Sequence, residues 1–197
     1  MGQEKEYEKK NLLTAAEFKE LTFQYEVSGQ DFRWQANTYF DTPSFHLKTY
    51  GAALRIREKN QTFECTLKEP ADQGLLETNQ LLTSDEAAQL LDNGIFPKGE
   101  VERQLHSLHV NPKELKKLGT LETNRASLPY KNGELFFDHS NYLDTEDFEI
   151  ELEGPSLQEV EEMFQELLEK HEIPERKTEN KIKRFFSRKQ QIEQTEE

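Results

Sequence analysis

The sequence is poor in several residue types, and each shortage excludes a class of protein. Its 197 residues include one cysteine, Cys65, so no internal disulfide can form and a reducing, cytoplasmic setting is expected. No apolar run approaches the ~18 residues of a membrane span, and no hydrophobic signal segment follows Met1. A glycine-rich phosphate loop is also missing. These absences predict a soluble protein that has no membrane partner.

Positively charged residues are outnumbered, since the chain has 25 lysines and arginines and 39 aspartates and glutamates. Its formal net charge is -14. Such a chain is not expected to bind nucleic acid, because the phosphate backbone would repel it. An anionic ligand would need a local basic patch or a bridging metal. Thirteen phenylalanines and six tyrosines still indicate a packed globular protein, and the length suits one domain.

Capping residues mark three helix starts. Each is a Ser or Thr followed three residues later by Glu, ahead of apolar residues at helical spacing. The pairs are Thr14 with Glu17, Thr83 with Glu86, and Ser156 with Glu159. A short helix is expected after Asn111, and a last helix over about residues 179–189.

Strand-like segments lie between these helices, and about eight are predicted. They cover roughly residues 3–10, 36–42, 51–59, 61–69, 74–82, 119–127, 133–139 and 147–154. Their number, with turn residues between neighbouring segments, predicts a mainly antiparallel sheet in an α+β protein.

Several predicted strands alternate apolar with charged side chains, so one face of each is charged. Glutamates dominate that face in the first and last segments, and cations dominate it in two segments between them. The acidic runs are Glu4, Glu6 and Glu8, ahead of Lys10, and Glu149, Glu151 and Glu153; the cations include Arg55, Arg57 and Lys68. For any single strand, a water-facing charged surface stays the ordinary interpretation.

Taken together, the charged faces are harder to explain as a water-facing surface. If eight strands closed into a barrel with these faces inward, the bore would just admit one small ligand. Glutamates crowded in such a bore would not all stay ionised, because burial and mutual repulsion raise their pKa values. Mg²⁺ or Mn²⁺ would resolve this by accepting carboxylate oxygens. The cationic strands would then need an anion, and a compound with several phosphates fits a row of arginine and lysine.

Motifs spread along the chain resemble those of the CYTH group of triphosphate tunnel metalloenzymes, named for class IV adenylyl cyclases and thiamine triphosphatases. They are Glu6-x-Glu8-x-Lys10, "YFDTP" from Tyr39, "LRIR" from Leu54, "TLK" from Thr66, the acidic strand from Glu149 to Glu153, and "NKIKR" from Asn180. The resemblance covers about residues 3–186 in the expected order. It implies an eight-stranded antiparallel β-barrel tunnel with flanking helices, a divalent metal, and usually hydrolysis of a terminal phosphate. A tunnel domain over residues 1–188 and a disordered tail over 189–197 are expected.

The resemblance also implies roles for single residues. Glu6 and Glu8 are expected to bind Mg²⁺ or Mn²⁺ together with one or more of Glu149, Glu151 and Glu153. The expected phosphate-binding residues are Lys10, Arg55, Arg57, Lys68, Arg125, Lys181 and Arg184. A Lys–Tyr pair has a proposed catalytic role in thiamine triphosphatases of this group, and Lys68 and Tyr39 occupy the matching positions. Asp138 has two open interpretations, an approach to the tunnel or a turn or capping role.

The function favoured by these features is metal-dependent hydrolysis of a small-molecule triphosphate, with inorganic triphosphate preferred. Animal thiamine triphosphatases carry a Trp directly before the basic strand, where this chain has Ala53, and no other group is an evident reader of an organic ring. Three alternatives stay open: an adenylyl cyclase of the same fold, a thiamine triphosphatase, and a non-catalytic module that binds nucleotide or polyphosphate. The oligomeric state is open too, with a homodimer as one candidate.

Overall fold

A computed structural model describes residues 3–72 and 74–195, without the side chains of residues 3–6, 193 and 195. The chain divides into two compact units. Within the described residues, the first unit comprises residues 3–6, 35–72 and 74–120, and the second comprises residues 7–34 and 121–195. No helix within the described ranges combines the length and the apolar character needed to cross a lipid bilayer.

Nine strands and six α-helices lie in the described residues, which confirms the α+β class and the mainly antiparallel pairing. The strands are β1 (Gln3–Glu6), β2 (Glu8–Leu13), β3 (Arg33–Asp41), β4 (Ala53–Lys59), β5 (Thr62–Pro70), β6 (Leu75–Leu82), β7 (Lys116–Tyr130), β8 (Gly133–Tyr142) and β9 (Thr145–Glu153). The helices are α1 (Ala15–Gln24), α2 (His46–Thr49), α3 (Ser84–Asn93), α4 (Glu100–Ser107), α5 (Leu157–Lys170) and α6 (Lys181–Thr195). A 3-10 turn at Pro112–Glu114 stands where the sequence predicts a short helix.

In the first unit the strand order is β1-β6-β5-β4-β3, with antiparallel pairing throughout. The apolar side chains of β4 and β5 form one face, where Leu54, Ile56, Cys65 and Leu67 are buried. Helices α3 and α4 pack on β5 and β6 and contribute to the same core. The residues between these apolar positions are charged or polar, so the first unit has one apolar and one polar face.

In the second unit the strand order is β7-β8-β9-β2, again antiparallel. Helix α5 packs on β2 and β9, and α1 packs on the same two strands. Their core includes Phe137, Ile150, Leu152, Val160 and Leu167. Each such burial contributes about 1.5–3 kcal/mol, so the core fixes which face of β8 and β9 points inward. The side chains that alternate with the core residues therefore form the opposite, polar face.

Helices α1, α3 and α5 begin where the capping residues predict. Thr14 and Thr83 each accept a hydrogen bond from the backbone N–H of the glutamate three residues on, and that glutamate accepts one from the threonine N–H. Ser156 accepts a hydrogen bond from the N–H of Glu159. The sequence does not predict α4, because its N-cap is Gly99, which has no side chain to form a cap.

The predicted first strand, residues 3–10, is two strands in the structure. β1 pairs with β6, β2 pairs with β9, and the partner changes at Tyr7, whose carbonyl accepts a hydrogen bond from the Gly154 N–H at 3.2 Å. The described residues thus contain nine strands where the sequence predicts eight. Closure of the strands into a barrel stays a prediction. At the other end, α6 continues to Thr195, inside the stretch for which the sequence predicts a tail.

Candidate metal and phosphate site

Strand β9 places three glutamates on the polar face of the second unit. Ile150 and Leu152 are fully buried in the core, so Glu149, Glu151 and Glu153, which alternate with them, point to the other side. Glu149 and Glu151 are nevertheless only 0% and 4% exposed. A buried carboxylate is unstable unless it is paired, so partners are expected close by.

Those partners come from the neighbouring strands. Directly paired residues project to the same face, so the register gathers polar side chains from four strands. The pairs are Arg125 with Asp138, Asp138 with Glu149, Lys10 with Glu151, and Glu8 with Glu153. Asp138 lies in the middle of β8 and is 0% exposed, which rules out the turn or capping role.

Arg125 contacts two of these carboxylates. Its Nε and Nη2 donate to Asp138 at 2.6 and 2.5 Å, and Nη2 also contacts Glu151. The guanidinium carbon lies 4.6 Å from the centroid of the Phe136 ring. The two-point hydrogen bond and the ring together fix the guanidinium in one orientation.

Lys181, the first residue of α6, contacts three carboxylates. Its Nζ lies 2.7 Å from Asp138 and 2.5 Å from Glu151, and it also contacts Glu149. Burial alone would lower the pKa of this ammonium group, but the surrounding carboxylates raise the pKa above its ordinary value. Lys181 therefore stays charged and offsets the repulsion among the three acids.

Arg184 follows one helical turn after Lys181 and so lies on the same face of α6. It donates to Glu149 at 2.6 Å and to Asp147 at 2.9 Å. Asn180 accepts a hydrogen bond from the Lys183 N–H at 2.9 Å, and this bond caps the start of the helix. The "NKIKR" motif thus begins a helix and presents two cations to the acidic strand.

Two groups of carboxylates in the second unit have the spacing of metal ligands. Within each group, one oxygen per residue lies within 4.8 Å of the others. The groups are Asp138, Glu149 and Glu151, and Glu8, Glu151 and Glu153. Such sets of oxygen donors suit a hard divalent cation like Mg²⁺ or Mn²⁺.

The two groups differ in their surroundings. The first is contacted by the guanidinium and ammonium groups described above, and its side chains are at most 6% exposed. In the second, Lys10 Nζ lies 2.5 Å from Glu8 and 3.7 Å from Glu151, and the Glu8 side chain is 15% exposed. A hydrated ion would reach the second group more easily, so Glu8, Glu151 and Glu153 are the better metal candidates.

Among the described residues, six carboxylates and four cations form one cluster, whose own charges sum to -2 when all of these groups are ionised. We call this set the carboxylate cluster: Glu8, Asp138, Asp147, Glu149, Glu151 and Glu153, with Lys10, Arg125, Lys181 and Arg184. One divalent cation would balance the count.

Burial and neighbouring charges shift the pKa values of two glutamates in the cluster. Burial raises the pKa of Glu149 to about 7, with Glu151 adding to the rise and Lys181 opposing it. The pKa of Glu151 is held well below its usual range, because Arg125 and Lys181 outweigh the effect of burial. Glu149 is therefore more readily protonated than an ordinary carboxyl group, and a proton there would relieve part of the repulsion.

The cations predicted on the middle strands lie on the polar face of the first unit. Arg57 of β4 donates from Nε to Asn37 at 3.3 Å. Lys68 of β5 contacts Glu77 of β6, and the two residues are directly paired. This face thus carries its positive charge beside amide and carboxylate groups of its own unit.

Tyr39 and Lys68, predicted as a catalytic pair, share this face. Tyr39 is 4% exposed and lies opposite Arg55 of β4. Lys68 is on β5, so β4 lies between the two strands and their backbones are about 9.5 Å apart. Their catalytic role stays a prediction.

The structure gathers eight predicted residues in the carboxylate cluster: Glu8, Lys10, Arg125, Glu149, Glu151, Glu153, Lys181 and Arg184. The predicted ligand Glu6 lies in β1, and its side chain is outside the described residues. Asp147 is the member that sequence reasoning missed. Asp147 is two residues from Glu149 on β9, so the alternation places it on the same face as Glu149. Only the fold shows that Arg184 contacts it.

The fold and this cluster agree with the family of the chain. The family model described as the CYTH domain matches residues 4–186. The chain belongs to the CYTH-domain family, as the motifs predict.

Two relatives and one more distant structure show how far the likeness extends. A Bacillus subtilis (strain 168) protein named "Putative triphosphatase YjbK" is 46% identical over 96% of this chain and 98% of its own length. A Bacillus halodurans protein, described as "a putative adenylate cyclase", has a crystal structure with a TM-score of 0.92 and 47% identity, covering 94% of this chain and 100% of that one. A Hippeastrum protein, described as a "Putative adenylyl cyclase" that "reveals a dominant triphophatase activity", has a TM-score of 0.78 at 22% identity, covering 92% and 95%. That last likeness shows the fold.

Proposed function

We propose that the protein is a divalent-metal-dependent hydrolase that removes the terminal phosphate of a triphosphate, with inorganic triphosphate preferred. The observation that carries the proposal is the carboxylate cluster, in which two groups of carboxylate oxygens have the spacing of metal ligands. A site with more carboxylates than cations would repel an anionic substrate. A metal cation bound to the carboxylates would allow the substrate to bind. The name of the Bacillus subtilis relative supports the same activity.

Mg²⁺ or Mn²⁺ is proposed to bind Glu8, Glu151 and Glu153, with Glu6 and Glu149 as further candidates from the family motifs. When bound, the metal would supply Lewis-acid polarisation of the phosphoryl oxygens. Carboxylates that accept hydrogen bonds from fixed cations keep their orientation, so the proposed metal ligands would be held in place before the substrate binds.

The chain's own cations are proposed to stabilise the negative charge that spreads over the phosphoryl oxygens and the leaving diphosphate. The residues expected from the family motifs are Lys10, Arg55, Arg57, Lys68, Arg125, Lys181 and Arg184. Lys68 and Tyr39 are proposed to be the catalytic pair that the family resemblance implies.

Preference for inorganic triphosphate follows from the groups that bind phosphate and from the lack of a ring reader at residue 53. Ala53 of β4 pairs with Lys68, and its methyl group cannot stack on a thiazolium ring or a base. A site that gains its binding free energy from phosphates gains nothing from an organic appendage, which adds ordering and desolvation. The buried thiol of Cys65 is consistent with the reducing cytoplasm that we propose as the compartment.

The description of the Bacillus halodurans relative makes adenylyl cyclase the second candidate. A panel of inorganic triphosphate, ATP, GTP and thiamine triphosphate with Mg²⁺ or Mn²⁺ separates the two, if phosphate and cyclic AMP are both assayed. We expect phosphate release, highest kcat/KM for inorganic triphosphate, and complete loss with chelator. Cyclic AMP as the main product from ATP would contradict the proposal, as would full activity in chelator.

A further inference from the structure

A row of side chains on the polar face of the first unit contains groups that the proposed mechanism does not use. The strand register pairs Arg55 of β4 with Thr66 of β5, and Thr66 with Asn79 of β6. Directly paired residues project to the same face, so these three side chains lie side by side across neighbouring strands. We call this set the Thr66 row.

Each member of the Thr66 row has a buried polar atom without a hydrogen-bond partner among the described residues. These atoms are Arg55 Nε, Thr66 Oγ1 and Asn79 Oδ1. Thr66 is 1% exposed, so its hydroxyl is removed from bulk water. One such group is costly in a folded protein, and three in register indicate a place that a polar ligand fills.

The chemistry of the row suits an oxyanion. Arg55 offers a cationic N–H, Thr66 a rotatable O–H, and Asn79 a carboxamide whose N–H₂ and oxygen exchange places by a half-turn. Two further cations of the same face, Arg57 and Lys68, lie two residues along β4 and β5 from the row. An anion bound at the row is therefore flanked by positive charge.

We propose that the Thr66 row binds a phosphoryl oxygen of the substrate, which makes Thr66 and Asn79 substrate-binding residues. The identity of the ligand rests on the function proposed above. Neutral donors add directional hydrogen bonds without adding charge, so the row would fix where a phosphoryl oxygen lies, while the lysines and arginines attract it.

The test uses Thr66→Val, which keeps the shape of the side chain and removes the hydroxyl. The probe is inorganic imidotriphosphate, whose bridging nitrogens resist hydrolysis, titrated by calorimetry in Mg²⁺. We expect the Kd to rise at least about tenfold, as for a hydrogen bond to a charged group. The Tm of the unliganded variant should stay the same or rise, because the substitution removes an unpaired buried group. Asn79→Asp, which places a carboxylate beside the anion, should raise the Kd further.

Two control variants match these changes. Thr66→Ser keeps the hydroxyl and should bind within about twofold of wild type. Thr38→Val makes the same substitution on β3, where the hydroxyl is bonded to Thr120 at 3.0 Å and the residue pairs with Ile56 on the apolar side. It should lower the Tm and leave the Kd unchanged.

If the wild type binds the probe and both Thr66→Val and Asn79→Asp bind it with the same Kd, this inference is overturned and the proposed function stays intact. A lower Tm for Thr66→Val at unchanged Kd would also overturn it, by assigning the hydroxyl a structural role. Failure of the wild type to bind the probe would overturn both. Should Thr66→Val not fold, the Kd of Asn79→Asp decides by the same criterion.

Discussion

The polar faces of the two units differ in the partners of their buried charged groups. In the second unit, each cation of the carboxylate cluster contacts at least two carboxylates, and the cluster keeps a negative surplus. In the first unit, Arg57 contacts the amide of Asn37 and Lys68 contacts the carboxylate of Glu77, and the Thr66 row has unpaired atoms among the described residues. One face is thus organised around charges that stabilise each other, and the other around groups suited to a ligand.

This difference separates stability from binding. Removing one charge from a buried network leaves its partner unpaired, so changes in the second unit should lower the free energy of unfolding. Changes on the polar face of the first unit should act mainly on ligand affinity. The following variants test that division, from the largest expected effect to the smallest.

Lys181→Met should destabilise the metal-free protein by about 3–5 kcal/mol, because three buried carboxylates lose a shared cation. Urea unfolding at neutral pH in chelator measures this. Lys183→Met is the matched control, since Lys183 is two residues away on α6, 60% exposed, and should change stability little. Equal stability of the two variants would contradict the cluster's structural role.

Glu8→Gln and Glu153→Gln should each lower the Mg²⁺-dependent rate of triphosphate hydrolysis at least ~10²-fold, or about 2.7 kcal/mol of transition-state stabilisation. The loss follows from a missing negative ligand. Raising Mg²⁺ should recover part of it. Glu146→Gln is the control on β9, the strand of Glu153, because Glu146 is 57% exposed and contacts His139. Wild-type rates in both ligand variants would exclude these residues as metal ligands.

Arg57→Ala should abolish protection by triphosphate against thermal unfolding while the unliganded protein keeps its Tm. Wild type should gain about 2.7 kcal/mol at a hundred times the dissociation constant, measured with excess ligand. Arg103→Ala, at an exposed position on α4, should retain full protection. If Arg57→Ala is protected as well as wild type, Arg57 does not bind the ligand.

Glu17→Gln tests a charge outside both polar faces and should cost about 1 kcal/mol at pH 7. Arg176 and the Thr14 cap hold the pKa of Glu17 below its ordinary value, against the effect of partial burial. A lowered pKa in the folded state means stabilisation above the ordinary pKa that is lost as the pH falls through the folded value.

The stability difference between wild type and Glu17→Gln should therefore vanish in acid. Urea unfolding across pH 2–7 measures it. Glu86→Gln, at the same cap position of α3, should show a smaller effect, because Thr83 holds Glu86 whereas Arg176 and Thr14 both hold Glu17. A difference for Glu17→Gln that persists in acid would contradict the assignment.

The alternation of apolar and charged residues made the faces of β4, β5 and β9 predictable from the sequence. This succeeds because a strand has a period of two and one face must be buried. The pairing of strands far apart along the chain was not predictable, so the position of Lys10 on β2 beside Glu151 on β9 needed the fold. Register depends on packing across the whole sheet, which a local pattern does not record.

The break at Tyr7 also escaped prediction. Glu6 and Glu8 keep the same alternation on either side of it, so the sequence pattern runs on while the hydrogen-bonding partner changes from β6 to β9. Helix α4 escaped for a different reason, since its start is held by Gln80, whose side chain accepts a hydrogen bond from the Val101 N–H. This hydrogen bond comes from β6, so the sequence next to the helix start contains no capping signal.

The late position of α6 in the chain has a consequence for synthesis. A ribosome delivers Lys181 and Arg184 after every carboxylate of the second unit has been made, so an emerging chain holds six acids of the cluster with only Lys10 and Arg125 to offset them. Their repulsion then opposes the docking of β2 onto β9, a contact that already spans most of the sequence. We expect the second unit to complete its folding only after α6 leaves the exit tunnel, which makes the arrival of this helix the trigger for assembly of the carboxylate cluster.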